Sequence, residues 1–431
     1  MSEGSPPFLR RVVLRNYKSI RECDVSLGPL TFLVGPNGSG KSNFLEALRF
    51  VAESLRTTMR QALRERGDVR ELFWRGRGED SQDFSVELHL NLPDGKNARY
   101  GVTVGVAERL FVIEEEHCSV TSQRKPEAEF RVEKGQRAET TIPTPPPASP
   151  RDLYLTKISG YPEFSPVYDL LSGMRFFNID PQRIREEALS GKPARELLRN
   201  GEGALYVTQQ AFRQHEVWQR MHEYLRAILP TLGKFDVQTD QYIVGTTGGA
   251  GSAGLYSRDP DSLSGEPRSL KFVLSTDSAP YPSHPPSHGL RVFDAGSMSD
   301  GTLRAFGVLL ALFQCVDRPE REPIPLVGIE EPEATLHPAA AGVLFDALRE
   351  ASHFAQVLVT THSPDLLDIK DVDADSLLIV DMVDGQSVIG RADEVSKSIM
   401  RDRLATPGEL LRQNQLRPES QSPGPVGVET D

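Results

Sequence analysis

The sequence predicts an α/β fold with a mixed central sheet, an antiparallel β subdomain and a helical insert. One observation is the apolar run at residues 30–34, which leads into the glycine-rich segment GPNGSGKS (35–42) and then into apolar residues at helical spacing. A second is a series of alternating segments separated by turn residues. A third is the helical pattern at residues 185–229. The chain therefore combines strands and helices.

Each predicted element follows from a local pattern. The predicted strands are residues 8–15, 22–27, 30–34, 84–92, 97–105 and 109–120, and a further hairpin is predicted at 130–141. The segment PDG (93–95) supplies a turn in the meander. A helix is predicted from Lys41 to about Arg66, and the proline-rich TIPTPPPASP (141–150) predicts an exposed connector.

Composition excludes several classes of protein. With 431 residues and 38% hydrophobic content, the chain is long enough for two or three domains or for one elaborated domain. Cys23, Cys118 and Cys315 are widely separated, so we expect neither a disulfide framework nor a zinc site, and we expect a reducing cytoplasm. No apolar run of about 18 residues is found, so we expect no membrane contact. The net charge of −12 argues against coating of nucleic acid by the whole surface, although a local basic face is allowed.

The segment from Gly35 to Ser42 fits the pattern G-x-x-x-x-G-K-[ST]. Glycines let backbone N–H groups surround a β-phosphate, the lysine reaches the β- and γ-phosphates, and the serine hydroxyl ligates Mg²⁺. The alternative is a glycine-rich turn that opens a helix by chance. The strand before the segment and the helix after it favour nucleotide binding. The predicted nucleotide-binding residues are Gly35, Pro36, Asn37, Gly38, Ser39, Gly40, Lys41, Ser42 and Asn43.

The segment IPLVGIEEPEATLHP (324–338) reads as an apolar strand that ends in two carboxylates. At the edge of a buried sheet, Glu330 is expected to hold the hydration shell of Mg²⁺ and Glu331 to polarise an attacking water. The alternative interpretation is a solvated acidic turn.

Two more segments place polar residues where phosphate chemistry needs them. VLVTTHSPDLL (357–367) is a second buried strand that ends at His362, which can hydrogen-bond a γ-phosphate or a water, although a single histidine there is more often structural. GSMSDGTLRAFGVLLAL (296–312) places Ser299, Asp300 and Gly301 at the start of an apolar helix, where backbone N–H groups favour an anion.

In these motifs the chain resembles the ABC-type ATPases of the RecF, OLD and chromosome-maintenance (SMC) kind, especially the stand-alone bacterial AAA family ATPases. LRNYKSI (14–20) resembles the opening strand of that family, and GPNGSGKS resembles its Walker A motif. SMSDGTLR resembles the signature motif, GIEEPEATLHP resembles Walker B, and TTHSPDLL resembles the switch-histidine segment. MRFFNIDPQRIR (174–185) resembles the strand and loop that carry the Q-loop, which makes Gln182 a candidate.

The resemblance implies a P-loop NTPase fold of the ABC-ATPase head type, with ATP and Mg²⁺ as its cofactors. It implies catalytic roles for Glu331, His362 and Gln182, and metal binding by Ser42, Glu330 and Gln182. In this family a homodimer forms on ATP binding, and Ser299, Asp300 and Gly301 of one subunit then face the nucleotide of the other.

Two departures from the family pattern predict modest turnover. Glu330 stands where Walker B usually has an aspartate, which is one methylene shorter. Asp300 stands where many cassettes have glycine, and it would bring a carboxylate close to the partner's γ-phosphate.

Features outside the motifs narrow the branch of the family. The segment between Gln182 and the signature has no heptads, so we expect no long coiled coil. Asp371, Asp373 and Asp375 resemble the metal ligands of a TOPRIM nuclease domain, but the sequence favours an acidic turn that enters a strand. We therefore expect any nuclease or effector to be a separately encoded chain.

A basic stretch lies between residues 56 and 77. Arg56, Arg60 and Arg64 would share one helix face at i, i+4 spacing and could contact the phosphates of DNA. A solvated helix face in an acidic protein is an equal alternative.

The sequence thus predicts an ATP-hydrolysing head that dimerises around nucleotide and gates a DNA-related activity in repair or anti-phage defence. A non-hydrolysing nucleotide-dependent adaptor and, with less support, the ATPase subunit of a transporter are the alternatives. The predicted domains are an N-terminal half of the head (1–182), a helical and glycine-rich insert (183–293), a C-terminal half of the head (294–400) and a disordered tail (401–431).

Overall fold

The computed structural model describes residues 8–76, 80–93, 95–122, 125–190, 194–239, 267–275, 290–315, 324–369 and 372–419. Arg77, Asp371, the glycine-rich segment 245–255 and residues 420–431 lie outside these ranges. The chain forms two compact units. The first unit comprises Met1–Arg175, Ile324–Gly328 and Ala355–Asp431, and the second comprises Phe176–Pro323 and Ile329–Phe354.

The described residues contain both strands and helices throughout. The strands are β1 (Leu9–Tyr17), β2 (Ile20–Ser26), β3 (Leu30–Val34), β4 (Asp83–Asn91), β5 (Asn97–Ala107), β6 (Leu110–Ser122), β7 (Lys125–Glu133), β8 (Gln136–Thr140), β9 (Arg175–Phe177), β10 (Leu232–Thr239), β11 (Pro267–Ser275), β12 (Leu290–Asp294), β13 (Leu326–Glu330), β14 (Gln356–Thr361), β15 (Leu377–Val383) and β16 (Gln386–Gly390). The helices are α1 (Lys41–Arg56), α2 (Met59–Arg64), α3 (Tyr154–Ile158), α4 (Ser165–Gly173), α5 (Pro181–Ser190), α6 (Ala204–Arg213), α7 (His215–Ile228), α8 (Asp300–Phe313), α9 (Ala341–Ala351), α10 (Pro364–Leu367), α11 (Glu394–Arg401) and α12 (Pro407–Arg412).

A six-stranded sheet has the order β16-β15-β3-β14-β13-β9 and contains both parallel and antiparallel pairs. In the first unit, β14 pairs in parallel with β3, so that Val357 lies opposite Leu30 and Thr361 opposite Val34. β3 and β14 are almost entirely buried, which explains their continuous apolar sequences. Their carboxyl ends therefore meet at one edge of the sheet.

The other large sheet of the first unit is antiparallel, with the order β2-β1-β4-β5-β6-β7-β8. Its strands alternate between buried and exposed residues, as β4 does along DFSVELHLN. The aromatic core includes Tyr17, Phe50 and Phe84, whose rings form two edge-to-face contacts at 5.2 and 5.5 Å. The predicted mixed sheet and antiparallel subdomain are confirmed.

The helix predicted from Lys41 to about Arg66 is wrong in its extent. α1 ends at Arg56 because Thr57 adopts φ −113° and ψ −104°, outside the helical region. Thr58 then caps α2, and its side chain accepts a hydrogen bond from the backbone N–H of Gln61. Arg56, Arg60 and Arg64 therefore do not share one helix face as predicted, since Arg56 ends α1 and the other two lie on α2.

The second unit is built around α8, which is apolar along nearly its whole length and buried. Phe306 of α8 contacts Phe235 of β10 and Phe272 of β11, at ring distances of 5.2 and 5.6 Å. Gly307 lets α8 approach Ile179 closely, because a Cβ on Gly307 would lie 2.7 Å from the side chain of Ile179. The helical insert expected from the sequence is thus present as α5, α6 and α7.

The segment predicted as a disordered tail is ordered over residues 401–419. Thr406 and Glu409 form a capping box that starts α12, in which each side chain bonds the other residue's backbone N–H. Arg412 of α12 forms ion pairs with Asp365 and Asp368. The prediction of disorder rested on composition alone and did not take account of the T-x-x-E pattern, which is a helix-start signal.

Among the helices of the described ranges, none has both the length and the hydrophobicity needed to cross a membrane.

Candidate functional site

The predicted phosphate loop connects β3 to α1 in the first unit, and the geometry at Gly35 and Gly40 requires glycine. Gly40 precedes α1 with φ 105°, a left-handed conformation that glycine adopts without strain. A Cβ on Gly40 would lie 2.0 Å from the hydroxyl of Ser387, and a Cβ on Gly35 would lie 2.0 Å from the carbonyl oxygen of Val380. Gly40, the N-cap residue of α1, has no side chain that could cap the helix. The loop therefore presents a helix amino terminus, which favours an anion.

Lys41 is the charged residue of this loop and is only 5% exposed. Its Nζ donates hydrogen bonds to the carbonyl oxygens of Gly35 and Pro36, each at 2.8 Å. The ammonium group is thus largely removed from water and held over the loop. Ser42, the next residue, is exposed at the first turn of α1. A dehydrated cation, a hydroxyl and a helix amino terminus form a donor set that fits a polyphosphate with Mg²⁺.

His362 follows β14 directly and is exposed. Because Thr361 lies opposite Val34, His362 and the phosphate loop leave the sheet at the same edge. The register thus places the predicted switch histidine on the side of the sheet where the loop begins.

In the second unit, Glu330 ends β13 and its side chain is 14% exposed. Its Oε1 accepts a hydrogen bond from Nη2 of Arg199 at 2.6 Å, so the predicted metal-binding carboxylate is engaged in an ion pair. The backbone turns sharply at Glu331, whose φ of 45° is left-handed and costs a non-glycine residue about 1 kcal/mol. Strain of this kind is common at functional sites.

Arg304 of α8 holds this turn, although the sequence interpretation missed it. Arg304 is 9% exposed, and its guanidinium donates to the carbonyl oxygens of Glu331 at 2.8 Å, Glu330 at 3.3 Å and Ile179 at 2.7 Å. Burial lowers the pKa of Arg304, and the nearby carboxylates of Glu333 and Glu331 oppose that effect. A lone arginine within an apolar helix is the sequence signal that could have revealed it.

Gln182 lies in the first turn of α5 and is exposed. Its Oε1 accepts a hydrogen bond from Nη1 of Arg185 at 2.7 Å. Nη2 of Arg185 also donates to Oδ1 of Asp300 at 2.7 Å and to the carbonyl oxygen of Met298 at 3.0 Å. The structure thus brings the predicted Q-loop glutamine and the predicted signature together through one arginine.

Ser299 is the N-cap of α8, and its Oγ accepts a hydrogen bond from the backbone N–H of Thr302 at 3.2 Å. A Cβ on Gly301 would lie 2.7 Å from the carbonyl oxygen of Thr335, which explains a residue without a side chain at this position. Since Asp300 is paired with Arg185, the unusual carboxylate of the signature is neutralised within its own unit.

Arg199 and Arg304 also line a cavity of about 490 Å³ in the second unit, together with Arg183 and Asp180. Arg183 forms an ion pair with Glu186 at 3.2 Å. The charges of the lining are therefore largely balanced.

The basic stretch divides into surface and buried parts. Arg56, Arg60 and Arg64 are exposed. Arg66 has a side chain only 3% exposed and forms ion pairs at 2.6 Å with Glu46 and Glu53. Arg66 is therefore a core residue and is excluded from a surface that contacts nucleic acid.

The acidic segment near residue 373 forms a turn. Asp373 caps a short 3-10 helix by accepting a hydrogen bond from the backbone N–H of Asp375, and β15 follows. Within the described part of the chain, no group of three or more His, Cys, Asp or Glu residues is arranged to hold a metal ion. The cap that Asp373 forms is the arrangement expected of an acidic turn that enters a strand.

The sequence matches a protein family described as "AAA domain, putative AbiEii toxin, Type IV TA system" over residues 30–206 and 258–368. These segments contain the phosphate loop, the candidate Q-loop, the signature, the two carboxylates and His362. The match therefore spans every predicted site residue.

Shorter similarities exist to curated bacterial proteins. The chain is 33% identical over 87 residues to the DNA replication and repair protein RecF of Vibrio vulnificus, which is 19% of this chain and 24% of that protein. It is 37% identical over 115 residues to the RecF of Gloeobacter violaceus, which is 25% of this chain and 28% of that protein. It is 43% identical over 44 residues to the OLD nuclease of Thermus scotoductus, which is 10% of this chain and 8% of that protein. The chain thus spans about a quarter of the RecF proteins and less of the nuclease.

Solved structures of SMC heads share the fold. The SMC head bound to the C-terminal winged-helix domain of ScpA has a TM-score of 0.50 at 16% identity, and the match covers 91% of this chain and 100% of that chain. A Pyrococcus furiosus SMC head with an extended coiled coil, bound to the C-terminal domain of ScpA, has a TM-score of 0.50 at 14% identity and covers 93% of this chain and 100% of that chain. The predicted ABC-ATPase head fold is confirmed.

Proposed function

Because the chain belongs to the family of AAA-domain proteins whose description includes AbiEii-type toxins, and has an ABC-ATPase head fold of the RecF, OLD and SMC type, we propose that it binds and hydrolyses ATP with Mg²⁺. The observation that supports the proposal most is the phosphate loop. Its left-handed Gly40 and its enclosed Lys41 ammonium prepare a helix amino terminus for a polyphosphate.

The proposed roles follow the chemistry of each side chain. The loop from Gly35 to Asn43 binds the phosphates, and Lys41 neutralises the β- and γ-phosphates. Ser42, Glu330 and Gln182 would hold Mg²⁺, which would supply positive charge against the charge that develops on the phosphates.

In this proposal, two other residues act on the attacking water. Glu331 polarises that water, and His362 donates a hydrogen bond to the γ-phosphate or to the water. Since the carboxylate of Glu330 is bonded to Arg199, its metal-binding role requires that this ion pair open.

We further propose that ATP joins two copies of the chain. In this arrangement, Ser299, Asp300 and Gly301 of one subunit face the nucleotide of the other, so that the γ-phosphate stabilises the dimer and hydrolysis releases it. The pairing of Asp300 with Arg185 supports this arrangement, because it reduces the repulsion between a carboxylate and the arriving phosphate.

The role of the dimer is proposed from the relatives. Their names refer to DNA replication and repair and to a nuclease, so we propose that the chain acts in the cytoplasm and gates a DNA-related activity in repair or anti-phage defence. A separately encoded nuclease or other effector would carry out that activity. The exposed Arg56, Arg60 and Arg64 are the proposed contact with DNA phosphates.

The test compares Glu331→Gln with Lys41→Ala. Glu331→Gln should retain ATP binding by calorimetry but lose at least about a hundredfold in phosphate release, because only the group that activates water is removed. It should accumulate as an ATP-dependent dimer in size-exclusion chromatography with light scattering. Lys41→Ala should lose ATP binding itself.

Ser299→Arg, added to Glu331→Gln, should abolish the trapped dimer, since its bulk blocks the facing site and leaves the phosphate loop of its own subunit intact. Wild-type hydrolysis by Glu331→Gln would refute the catalytic assignment. An unchanged mass with and without ATP and Mg²⁺ would refute the dimer. Unchanged ATP binding by Lys41→Ala would refute the phosphate loop.

A non-hydrolysing, nucleotide-dependent adaptor is the second candidate function. The ion pair between Glu330 and Arg199 favours it, because it occupies the carboxylate that would serve the metal. Steady-state phosphate release separates the two candidates.

A further inference from the structure

The hairpin of β15 and β16 packs against the phosphate loop within the first unit. Ser387 of β16 is 2% exposed, and its Oγ donates a hydrogen bond to the carbonyl oxygen of Ser39 at 2.6 Å. Its backbone N–H donates to the carbonyl oxygen of Ser19 at 2.7 Å. The Ser387 hydroxyl also occupies the space that a Cβ on Gly40 would need. A residue more than 340 positions away in sequence thus supports the centre of the loop.

The protons of this cluster can be assigned from its donors and acceptors. A serine hydroxyl has one proton, and the proton of Ser387 is given to the carbonyl of Ser39. In the 2.6 Å contact between the hydroxyls of Ser19 and Ser387, Ser19 must therefore be the donor. Nδ2 of Asn43 donates to Oγ of Ser19 at 2.7 Å. The result is a directed chain of hydrogen bonds from Asn43 through Ser19 and Ser387 to Ser39.

This chain of hydrogen bonds flanks Lys41 and Ser42, the residues proposed to bind phosphate and metal. Asn43 lies in the first turn of α1 and Ser39 lies in the loop before it, so the bonds tie together the two sides of Lys41 and Ser42. Each bond is oriented by the next one, so that removing one hydroxyl weakens the rest.

We propose that Ser387 and Ser19 are positioning residues that hold the phosphate loop in the conformation that receives the polyphosphate of ATP. The inference rests on the proposed nucleotide binding and deepens it. Neither serine is assigned contact with nucleotide, since both act through Ser39 and Asn43. A loop that is held in its binding conformation loses less conformational freedom on binding, so the serines contribute to affinity without touching the ligand.

The test is Ser387→Ala. It leaves the buried carbonyl of Ser39 without its donor, and Ser19 without its acceptor, so the Kd for ATP measured by calorimetry should rise about tenfold. In steady-state kinetics, the KM for ATP should rise by a similar factor, while kcat changes little, because Glu331 is unaffected. Without nucleotide, hydrogen–deuterium exchange should accelerate in a peptide covering residues 36–43 and stay unchanged in β4.

Ser396→Ala is the matched control. Ser396 is also a buried serine of the first unit, at 2% exposure, but its hydroxyl is directed to the carbonyl oxygen of Gln415. This variant should retain the wild-type Kd for ATP and wild-type exchange in the loop. A general effect of losing a buried hydroxyl would appear in both variants.

Ser19→Ala provides an independent route if Ser387→Ala folds poorly. It should weaken ATP binding in the same direction, and the double variant should lose less than the product of the two single effects, because both serines belong to one chain of bonds.

Wild-type affinity and wild-type exchange in both single variants would overturn the inference and leave the proposed function standing. If the unsubstituted chain binds no ATP, the proposed function fails and the inference about affinity fails with it. The exchange measurement without nucleotide then still shows whether the serines hold the loop.

Discussion

Glu116 offers a stability prediction with a defined sign. This residue of β6 is 1% exposed, and burial raises the pKa of its carboxyl to about 7. Backbone N–H groups of Tyr154 and Leu155 and the hydroxyl of Tyr100 donate hydrogen bonds to it, which limits the rise. The carboxyl therefore caps the amino end of α3 from within the core.

The pH dependence follows from the raised pKa. Well below pH 4.5, the ordinary pKa, Glu116 is protonated in both the folded and the unfolded chain and contributes no pH dependence. Between pH 4.5 and about pH 7, the folded chain keeps the proton and the unfolded chain releases it, so stability falls as pH rises. At 1.36 kcal/mol per pH unit, the total loss is about 3 kcal/mol.

Glu116→Gln removes this ionisation. At pH 5 the variant should be less stable than wild type by about 1 to 3 kcal/mol, because the hydroxyl oxygen of the protonated carboxyl can still accept a hydrogen bond from a backbone N–H and the NH2 group of the amide cannot. At pH 8 that difference should shrink or reverse, since the amide never ionises. The relative stability should thus change by about 2.5 kcal/mol between pH 5 and pH 8.

The assay is urea unfolding at several pH values. Hydrogen–deuterium exchange in β6 monitors the unfolding, so that the transition of the first unit is observed separately from that of the second. Glu139→Gln in β8 controls for the removal of one negative charge from the same sheet. A difference between wild type and Glu116→Gln that stays constant from pH 5 to pH 8 would refute the reasoning. A change of equal size in the control would assign the effect to net charge.

Two further predictions concern arginines. Arg304→Lys should lower kcat for ATP hydrolysis about tenfold to a hundredfold and leave the Kd for ATP unchanged, because a single ammonium cannot hold the strained Glu331 turn as the guanidinium does. Phosphate release measures kcat and calorimetry measures Kd, and a wild-type kcat would contradict the prediction. The triple replacement of Arg56, Arg60 and Arg64 by alanine should make the slope of log K for DNA against log salt shallower by up to about three units. Filter binding checks this, and either identical slopes or no DNA binding by the unsubstituted chain would return these residues to a solvated surface.

The strands could be predicted closely because their patterns are local. Alternation in 84–92 and 97–105 corresponds to β4 and β5 within about two residues. The break in the first helix was missed because apolar spacing continues across it. Thr57 and Thr58 carried the opposing signal, since a threonine favours an N-cap over a helix interior.

The site was only partly predictable for a related reason. The phosphate loop is a contiguous motif, so the sequence pattern places Lys41 and Ser42 at the start of α1. Ser387 and Arg304 support their sites from distant positions in the chain, and no local pattern connects either residue to its partners. Contacts of this kind depend on the completed fold.

The two departures from the family pattern have one structural feature in common. The carboxylate of Glu330 is paired with Arg199, and that of Asp300 with Arg185. Both arginines come from the segment between β9 and α6, and their partners lie 131 and 115 residues away along the chain. A glutamate reaches one methylene further than an aspartate, and the carboxylate of Glu330 meets the guanidinium of Arg199 at 2.6 Å.

This pairing changes how the departures should be interpreted. As isolated substitutions, an acidic signature residue and a lengthened Walker B acid would predict a weakened site. Paired with Arg185 and Arg199, the carboxylates no longer repel phosphate unopposed, and the cost of activity moves to opening the ion pair of Glu330 with Arg199. Since an ion pair that is about half exposed on its arginine side is worth only about 1 kcal/mol, ATP binding has ample free energy to open it. We therefore propose that the segment between β9 and α6, which supplies Arg185 and Arg199, contributes to ATP hydrolysis.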